Sequence, residues 1–367
     1  MPAQIVRKDA TYLLNYCARS LARDNADFRH NTGQYAADDP RGRILEAWRF
    51  PIVDSYYSAD DLASHTFNIV SFVCVNRNEV LGKDIAVIGT FSDLLSPVPL
   101  RQVADSVYWG VTVVVPKGQT HSYKFLAGGR ALLDAINPQQ IVRPDGSVWS
   151  RFFTEYCTDI MVFEHWEVAI LERLTNHILP FRTTEGQRFL DYYYNSLDKQ
   201  AKETQFARAY QIDQPVGAVN FIDKILAREE SHRHVDYKVC LELCDRVLRL
   251  RYPRVEPATL PATVYAELYE QLANDDGRRM AGWDYSRYAS PRFFLQLLRR
   301  HTYTGAFSHP KHGGNSGAAG WEFLATNLVD PATGKLPLLE ATQSPRPYFD
   351  WSRAIEPPLG RNPEYRG

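Results

Sequence analysis

The chain has 367 residues, 44% hydrophobic and 23% charged, which is ordinary globular composition and excludes a largely disordered or fibrous chain. Its 42 Lys and Arg balance 43 Asp and Glu for a formal net charge of -1, and no basic stripe stands out, so nucleic acid is not an expected partner. An aromatic fraction of 13% is high and points to aromatic-rich cores or large contact surfaces.

In chain order, residues Asp9 to Arg23 read as an amphipathic helix with Leu13, Leu14, Cys17 and Leu21 on one face. The rest of 1–64 carries turn chemistry such as Asn31-Thr32-Gly33 and Asp39-Pro40-Arg41-Gly42, and is expected to pack on a neighbour rather than build a core. From 65 to 158 the period is two. Strands are expected at Phe67–Val75, Asp84–Ile88, Trp109–Val115, His121–Phe125 and Ser147–Phe153, broken by Gly and Pro, and this pattern predicts a β-sandwich. From 159 to 328 the period is helical. Helices are expected at Met161–Leu179, Glu185–Ile212, Val216–Ala227, Val235–Leu250, Leu260–Leu272 and Pro291–Arg300, making an all-α domain. Ser290 before Pro291 is an N-cap followed by proline at the first helical position.

The final segment, 329–367, is rich in Pro and carries Leu338, Leu339, Tyr348, Phe349 and Trp351, which reads as an extended arm lying on a surface. The apolar stretches Phe67 to Val75 and Gly110 to Val115 are strand-length, far short of the ~20 residues of a span. The first residues, Met1 to Ala22, carry no apolar signal region. The five cysteines, Cys17, Cys74, Cys157, Cys240 and Cys244, are odd in number and mostly far apart, so a reduced, cytoplasmic setting is expected. Periplasmic placement by co-export with a signal-bearing partner is the alternative.

Cofactor signatures are missing from the sequence. There is no G-x-G-x-x-G after a strand, no Walker lysine, no H-E-x-x-H and no C-x-x-C-H. No residue is therefore assigned a catalytic or cofactor-binding role, and an independent redox enzyme is not expected. His301, His309 and His312 crowd one region and form a minor metal candidate, against a reading in which they hydrogen-bond within the loop or meet a partner. Cys240 and Cys244 on an apolar stripe read as buried thiols, and Tyr192-Tyr193-Tyr194 show aromatic rings on more than one helix face. His232 and His234 sit in a polar run that reads as an exposed connection.

Two resemblances add to this. Val87-Ile88-Gly89-Thr90-Phe91-Ser92, Trp109, Pro116-Lys117-Gly118, Tyr123-Lys124-Phe125, Gly128-Gly129, Asp134, Asn137-Pro138 and Asp145-Gly146-Ser147 together resemble the immunoglobulin-like starch- and glycogen-binding modules. The resemblance implies an immunoglobulin-like sandwich. Of the glucan-holding groups only Lys124 matches, as a residual carbohydrate contact. Leu94-Leu95 and Arg130-Ala131 stand where the two stacking rings are expected, so a docking or spacer role is expected in place of sugar binding.

Thr304-Gly305-Ala306-Phe307-Ser308-His309-Pro310, then Gly313-Gly314-Asn315 and Gly320-Trp321, resemble the closing motif of the gluconate 2-dehydrogenase subunit 3 family. Ile178-Leu179-Pro180, Val216 to Asp223 and Pro291 to Arg299 match its upstream landmarks, and the likeness runs roughly from Glu164 to Leu324. His309 replaces the usual Asp and His312 the usual aromatic. The resemblance implies a non-catalytic small subunit that binds a large GMC-type (glucose-methanol-choline) flavoprotein acting on a sugar, glycoside or polyol, with FAD in the partner. On this reading Thr304, Gly305, His309, Pro310, Gly313, Gly314, Asn315 and Trp321 form a partner-facing or structural motif. The alternative is a free-standing carbohydrate-binding or scaffold protein.

Overall fold

Alternation of apolar and polar environments sends successive side chains to opposite faces of a strand, and Ile85–Gly89 obeys it. The computed structural model describes residues 3–21, 47–56, 66–76, 79–91, 96–179, 199, 216–274, 280–316 and 320. The described residues fall into two compact units that divide after Asp159.

The first unit holds eleven strands among its described residues: β1 (Ile5–Val6), β2 (Ile52–Ser55), β3 (Phe67–Val75), β4 (Ile85–Gly89), β5 (Val98–Pro99), β6 (Arg101–Gln102), β7 (Tyr108–Pro116), β8 (Thr120–Ala127), β9 (Arg130–Leu132), β10 (Gln140–Val142) and β11 (Val148–Phe153). They make two antiparallel sheets, β1-β7-β3-β2 with β6 on β7, and β10-β11-β8-β4-β5 with β9 on β8. β3 and β7 pair along their whole length, from Phe67 opposite Pro116 to Val75 opposite Tyr108.

One side of β3 sends Val70, Phe72 and Cys74 into a cluster with Val113 and Val115 of the same sheet and Ile85, Val87, Tyr123, Phe125 and Phe152 of the other. Phe72 is central: its ring lies 4.8 Å from Phe91 and 4.9 Å from Tyr123. The opposite side of the first sheet, through Ile52 and Val73, packs on Tyr12, Leu13, Tyr16 and Cys17 of α1 (Ala10–Leu21). Burial on both faces explains why β3 reads as a nearly unbroken apolar run. β1 and β2 arise from the stretch read as irregular; they are short, and they take their place by pairing with β7 and β3. Lys8 pairs with Asp54 at 2.8 Å, and the Tyr12 hydroxyl donates to both oxygens of the same carboxylate, tying α1 to β2.

Between β9 and β10 a loop is anchored to the core by a buried polar network, with Leu133, Ala135 and Pro138 left exposed. Tyr123 donates to Asp134 at 2.5 Å, Asp134 accepts from the Ile136 amide, and the Asn137 amide donates to the Tyr123 hydroxyl and to the Arg151 carbonyl. Such groups must be paired because a buried orphan costs its full desolvation.

The second unit holds α2 (His165–Ile178), α3 (Ala218–Ala227), α4 (His234–Arg251), α5 (Ala262–Ala273) and α6 (Pro291–Phe307). Glu167, buried in the first turn of α2, accepts from the Glu164 amide and pairs with Lys238 of α4 at 2.5 Å. Leu171, Leu174, Ile222, Cys240, Leu243, Cys244, Val247, Leu268, Phe294 and Leu298 are fully buried in one cluster. Burial also pushes the Cys244 thiol up to about 12, as for an inert core cysteine. Ser290 caps α6 as expected, accepting from the Phe293 amide at 3.2 Å.

One expectation is corrected. α6 does not stop at Arg300 but runs on through Phe307, because Gly305 lets α6 close on α3. A mid-helix glycine costs about 1 kcal/mol, which the packing outweighs. The run through His232 and His234 is a helix connection as expected: a 3-10 turn, Ser231–Arg233, with no buried residue, leads into α4. The helix expected at Glu185–Ile212, with Tyr192 to Tyr194, and the arm 329–367 lie outside the described residues. Among the described residues no helix is long and apolar enough to cross a membrane.

Replacing Tyr123 with Phe removes a hydrogen bond to a buried carboxylate and is expected to cost about 1–3 kcal/mol in denaturant unfolding. Burial raises the Asp134 carboxyl above its ordinary value, while the Tyr123 bond pulls it down. A raised group stabilises the fold at acid pH, and that contribution fades as pH climbs through the folded value. Losing Tyr123's bond raises the folded value further, so the loss in the variant should grow from acid to neutral pH.

Candidate functional site

Asn220, Asp223 and Lys224 stand at i, i+3 and i+4 on α3, so they share one face of that helix. Asp223 is 3% exposed and Lys224 is 2% exposed. The Asp223 carboxylate accepts three backbone amides, from Met161 at 2.7 Å, Val162 at 2.8 Å and Phe163 at 3.2 Å. These residues lead into α2, so the carboxylate fixes how that helix begins. Lys224 neutralises it at 2.9 Å and also donates to the Asn220 side-chain oxygen Oδ1 at 3.0 Å.

Asn220 passes the connection on. Its amide donates to the Gly313 carbonyl at 2.6 Å, in the loop that follows α6. Gly313 has φ +93°, a left-handed backbone, and an added Cβ there would lie 2.8 Å from the Asn220 side-chain nitrogen. At Gly314 the demand is close approach: a Cβ would lie 2.2 Å from the Gly305 carbonyl oxygen inside α6. Asn315 is fully buried at φ +45°, donates to the Ser308 carbonyl at 2.8 Å and accepts from the Gly320 amide at 2.7 Å. His309 precedes a 3-10 turn at Pro310–His312, and its Nδ1 accepts from the Lys311 amide at 3.2 Å. The structure thus brings Gly305, Gly313, Gly314 and Asn315 together against α3, with Thr304 on the exposed side of α6. Trp321 lies outside the described residues.

His301 belongs to a different cluster. Its Nδ1 is 2.9 Å from the Tyr237 hydroxyl, and its Nε2 is 3.2 Å from Glu230, which also receives Arg300 at 2.7 Å. Glu230 sits below the usual carboxylate range, chiefly through its bond to His301. His309 and His312 face each other with ring centroids 6.5 Å apart, but both ring nitrogens of His301 are engaged with Tyr237 and Glu230. Among the described residues no group of three His, Cys, Asp or Glu side chains is placed to hold a metal ion.

In the first unit Lys124, on the outward side of β8, lies 5.0 Å from the Trp149 ring centroid, and Arg143 lies 3.8 Å from it. Arg130 and Ala131 lie on the exposed edge strand β9. Leu94 and Leu95 lie outside the described residues. Trp149 was not singled out from sequence, because its proximity to Lys124 arises only when β11 pairs with β8. The role of Lys224 was likewise missed. A lysine and an aspartate on the apolar face of α3 were the available signal.

Residues 166–326 match the family model described as gluconate 2-dehydrogenase subunit 3, which supports that family for the helical part of the chain. Among solved structures, the enterochelin esterase of Shigella flexneri is 18% identical over 24% of this chain and 30% of its own, with TM-score 0.22. The ferric enterobactin esterase of Salmonella typhimurium is 14% identical over 29% of this chain and 35% of its own, also with TM-score 0.22. The chain spans about a third of the length of these esterases, and at such scores the likeness bears on neither fold nor activity. No curated protein matches the chain.

Asp223→Ala should destabilise the helical unit by about 3–5 kcal/mol in thermal or denaturant unfolding, because Lys224 is left buried without its partner. Adding Lys224→Met should recover only part of that loss, since the amides of Met161 to Phe163 still lack their acceptor. Gly314→Val is expected to cost about 3 kcal/mol or more, because the obstructing atoms are backbone and cannot move aside. Melting temperatures of the three variants against the parent chain check these outcomes.

Proposed function

We propose that the chain is the non-catalytic small subunit of an FAD-dependent sugar, glycoside or polyol dehydrogenase, binding and supporting a glucose-methanol-choline flavoprotein that carries the flavin and the chemistry. The observation that carries this reading is the family match over 166–326. It coincides with the helices and loop that Asp223, Asn220 and the Gly313–Asn315 turn lock together. The family match supports an accessory subunit of a dehydrogenase.

The β unit is read as an immunoglobulin-like module that serves docking or spacing. Two antiparallel sheets sharing one core support that reading. Lys124 stands ready as a residual sugar contact, though the indole beside it already meets two cations. The proposed compartment is the cytoplasm, where the five buried thiols suit a reducing setting.

Co-expression with a flavoprotein encoded in the adjacent open reading frame tests the proposal. A yellow complex should co-purify, with stoichiometric FAD that stays with the large chain on separation. Tight flavin in this chain alone would overturn it. A colourless chain that ignores the flavoprotein and binds glycogen would establish the free-standing carbohydrate-binding alternative.

A further inference from the structure

α6 is buried on one side through Phe294, Leu295, Leu297, Leu298 and His301. Its other side is a single exposed stripe in which Arg292, Phe293, Gln296, Arg299 and Tyr303 follow one another at helical spacing. Two features set this stripe apart. Phe293 is 42% exposed and Tyr303 is 40% exposed, each with an arginine against its ring: Arg233 for Phe293, Arg299 for Tyr303. The charge is also one-sided. α6 contains no Asp or Glu, and its three arginines are Arg292, Arg299 and Arg300.

Arg300 is neutralised by Glu230. Among the described residues neither Arg292 nor Arg299 has a carboxylate within ion-pair distance, and Arg299 is hydrogen-bonded to the neutral Tyr269 hydroxyl. Solvated helix faces ordinarily interleave both signs. Arginine, tyrosine and phenylalanine together, without acids, are instead the composition of interface centres.

We propose that this stripe of α6 is the surface through which the helical unit docks on an acidic patch of the catalytic dehydrogenase subunit. Phe293 and Tyr303 supply the apolar anchors, and Arg292 and Arg299 the complementary charge. The inference rests on the proposed function, since it names the docking face of that partner. Charge complementarity chooses the occupant: a second copy of α6 would set arginines against arginines, which costs affinity, whereas an acidic patch pairs both. The stripe lies apart from the buried Asn220–Gly313 contact, so binding can be disturbed without unlocking the fold.

The test measures affinity between purified full-length chain and the flavoprotein encoded beside it, together with the chain's melting temperature and self-association. The double variant Arg292→Glu/Arg299→Glu is expected to weaken binding by about tenfold or more, mostly in association rate, with wild-type affinity falling as salt rises. Tyr303→Ala should speed dissociation. Arg254→Glu, an exposed charge reversal after α4, should leave affinity unchanged. Melting temperatures near wild type in all variants confirm that folding is intact.

Should the well-folded double variant bind within about twofold of wild type, the docking face is wrong. Lost self-association with unchanged flavoprotein binding would assign the stripe to a second copy and equally overturn the proposal. A wild-type chain that does not bind the flavoprotein at all refutes the proposed function, and the docking face with it. Binding by wild type but equally by every variant refutes the docking face alone.

Discussion

The helical unit depends on a carboxylate placed where water cannot reach it. Asp223 is acceptable in that interior because three backbone amides and a buried ammonium surround it. The amides come from the chain just before α2, the ammonium from the next residue of α3, and that ammonium also holds Asn220. Asn220 reaches the Gly313 carbonyl, so one charge sets the start of α2, the orientation of α3 and the seat of the loop after α6. Removing any one group takes a hydrogen-bond partner from its buried neighbours.

The same economy governs the loop. Gly314 presses against the backbone of α6 at Gly305, while Asn315, in a left-handed conformation, bridges Ser308 and Gly320. A motif that looks in sequence like a presentation loop is therefore buried along its glycines and asparagine. Beside them Thr304 and His312 stay exposed.

The β unit is stabilised differently. Its core is aromatic, with Phe72 against Phe91, Tyr123 and Phe152, and its polar network anchors the loop before β10 to that core. Offset and edge-on rings of this kind add specificity beyond area burial. On its outer surface Trp149 takes two cations, Lys124 and Arg143, against its ring.

Periodicity alone determined the order of strands and helices, because period two over 67–153 and period 3.6 beyond 159 are direct consequences of which face meets the core. The Ser290-Pro291 start of α6 was equally legible, since capping is a local hydrogen-bond requirement. Short strands such as Ile52–Ser55 and Gln140–Val142 were not legible, as they exist through pairing with partners distant in sequence. Nor was the end of α6: Gly305 reads as a break until α3 is packed against it. His301, His309 and His312 are neighbours in sequence, yet the helix turns His301 inward to Tyr237 and Glu230. Sequence named Gly313, Gly314 and Asn315 as important. Only the tertiary structure showed why, because the atoms that forbid a side chain at Gly314 belong to another turn of the chain.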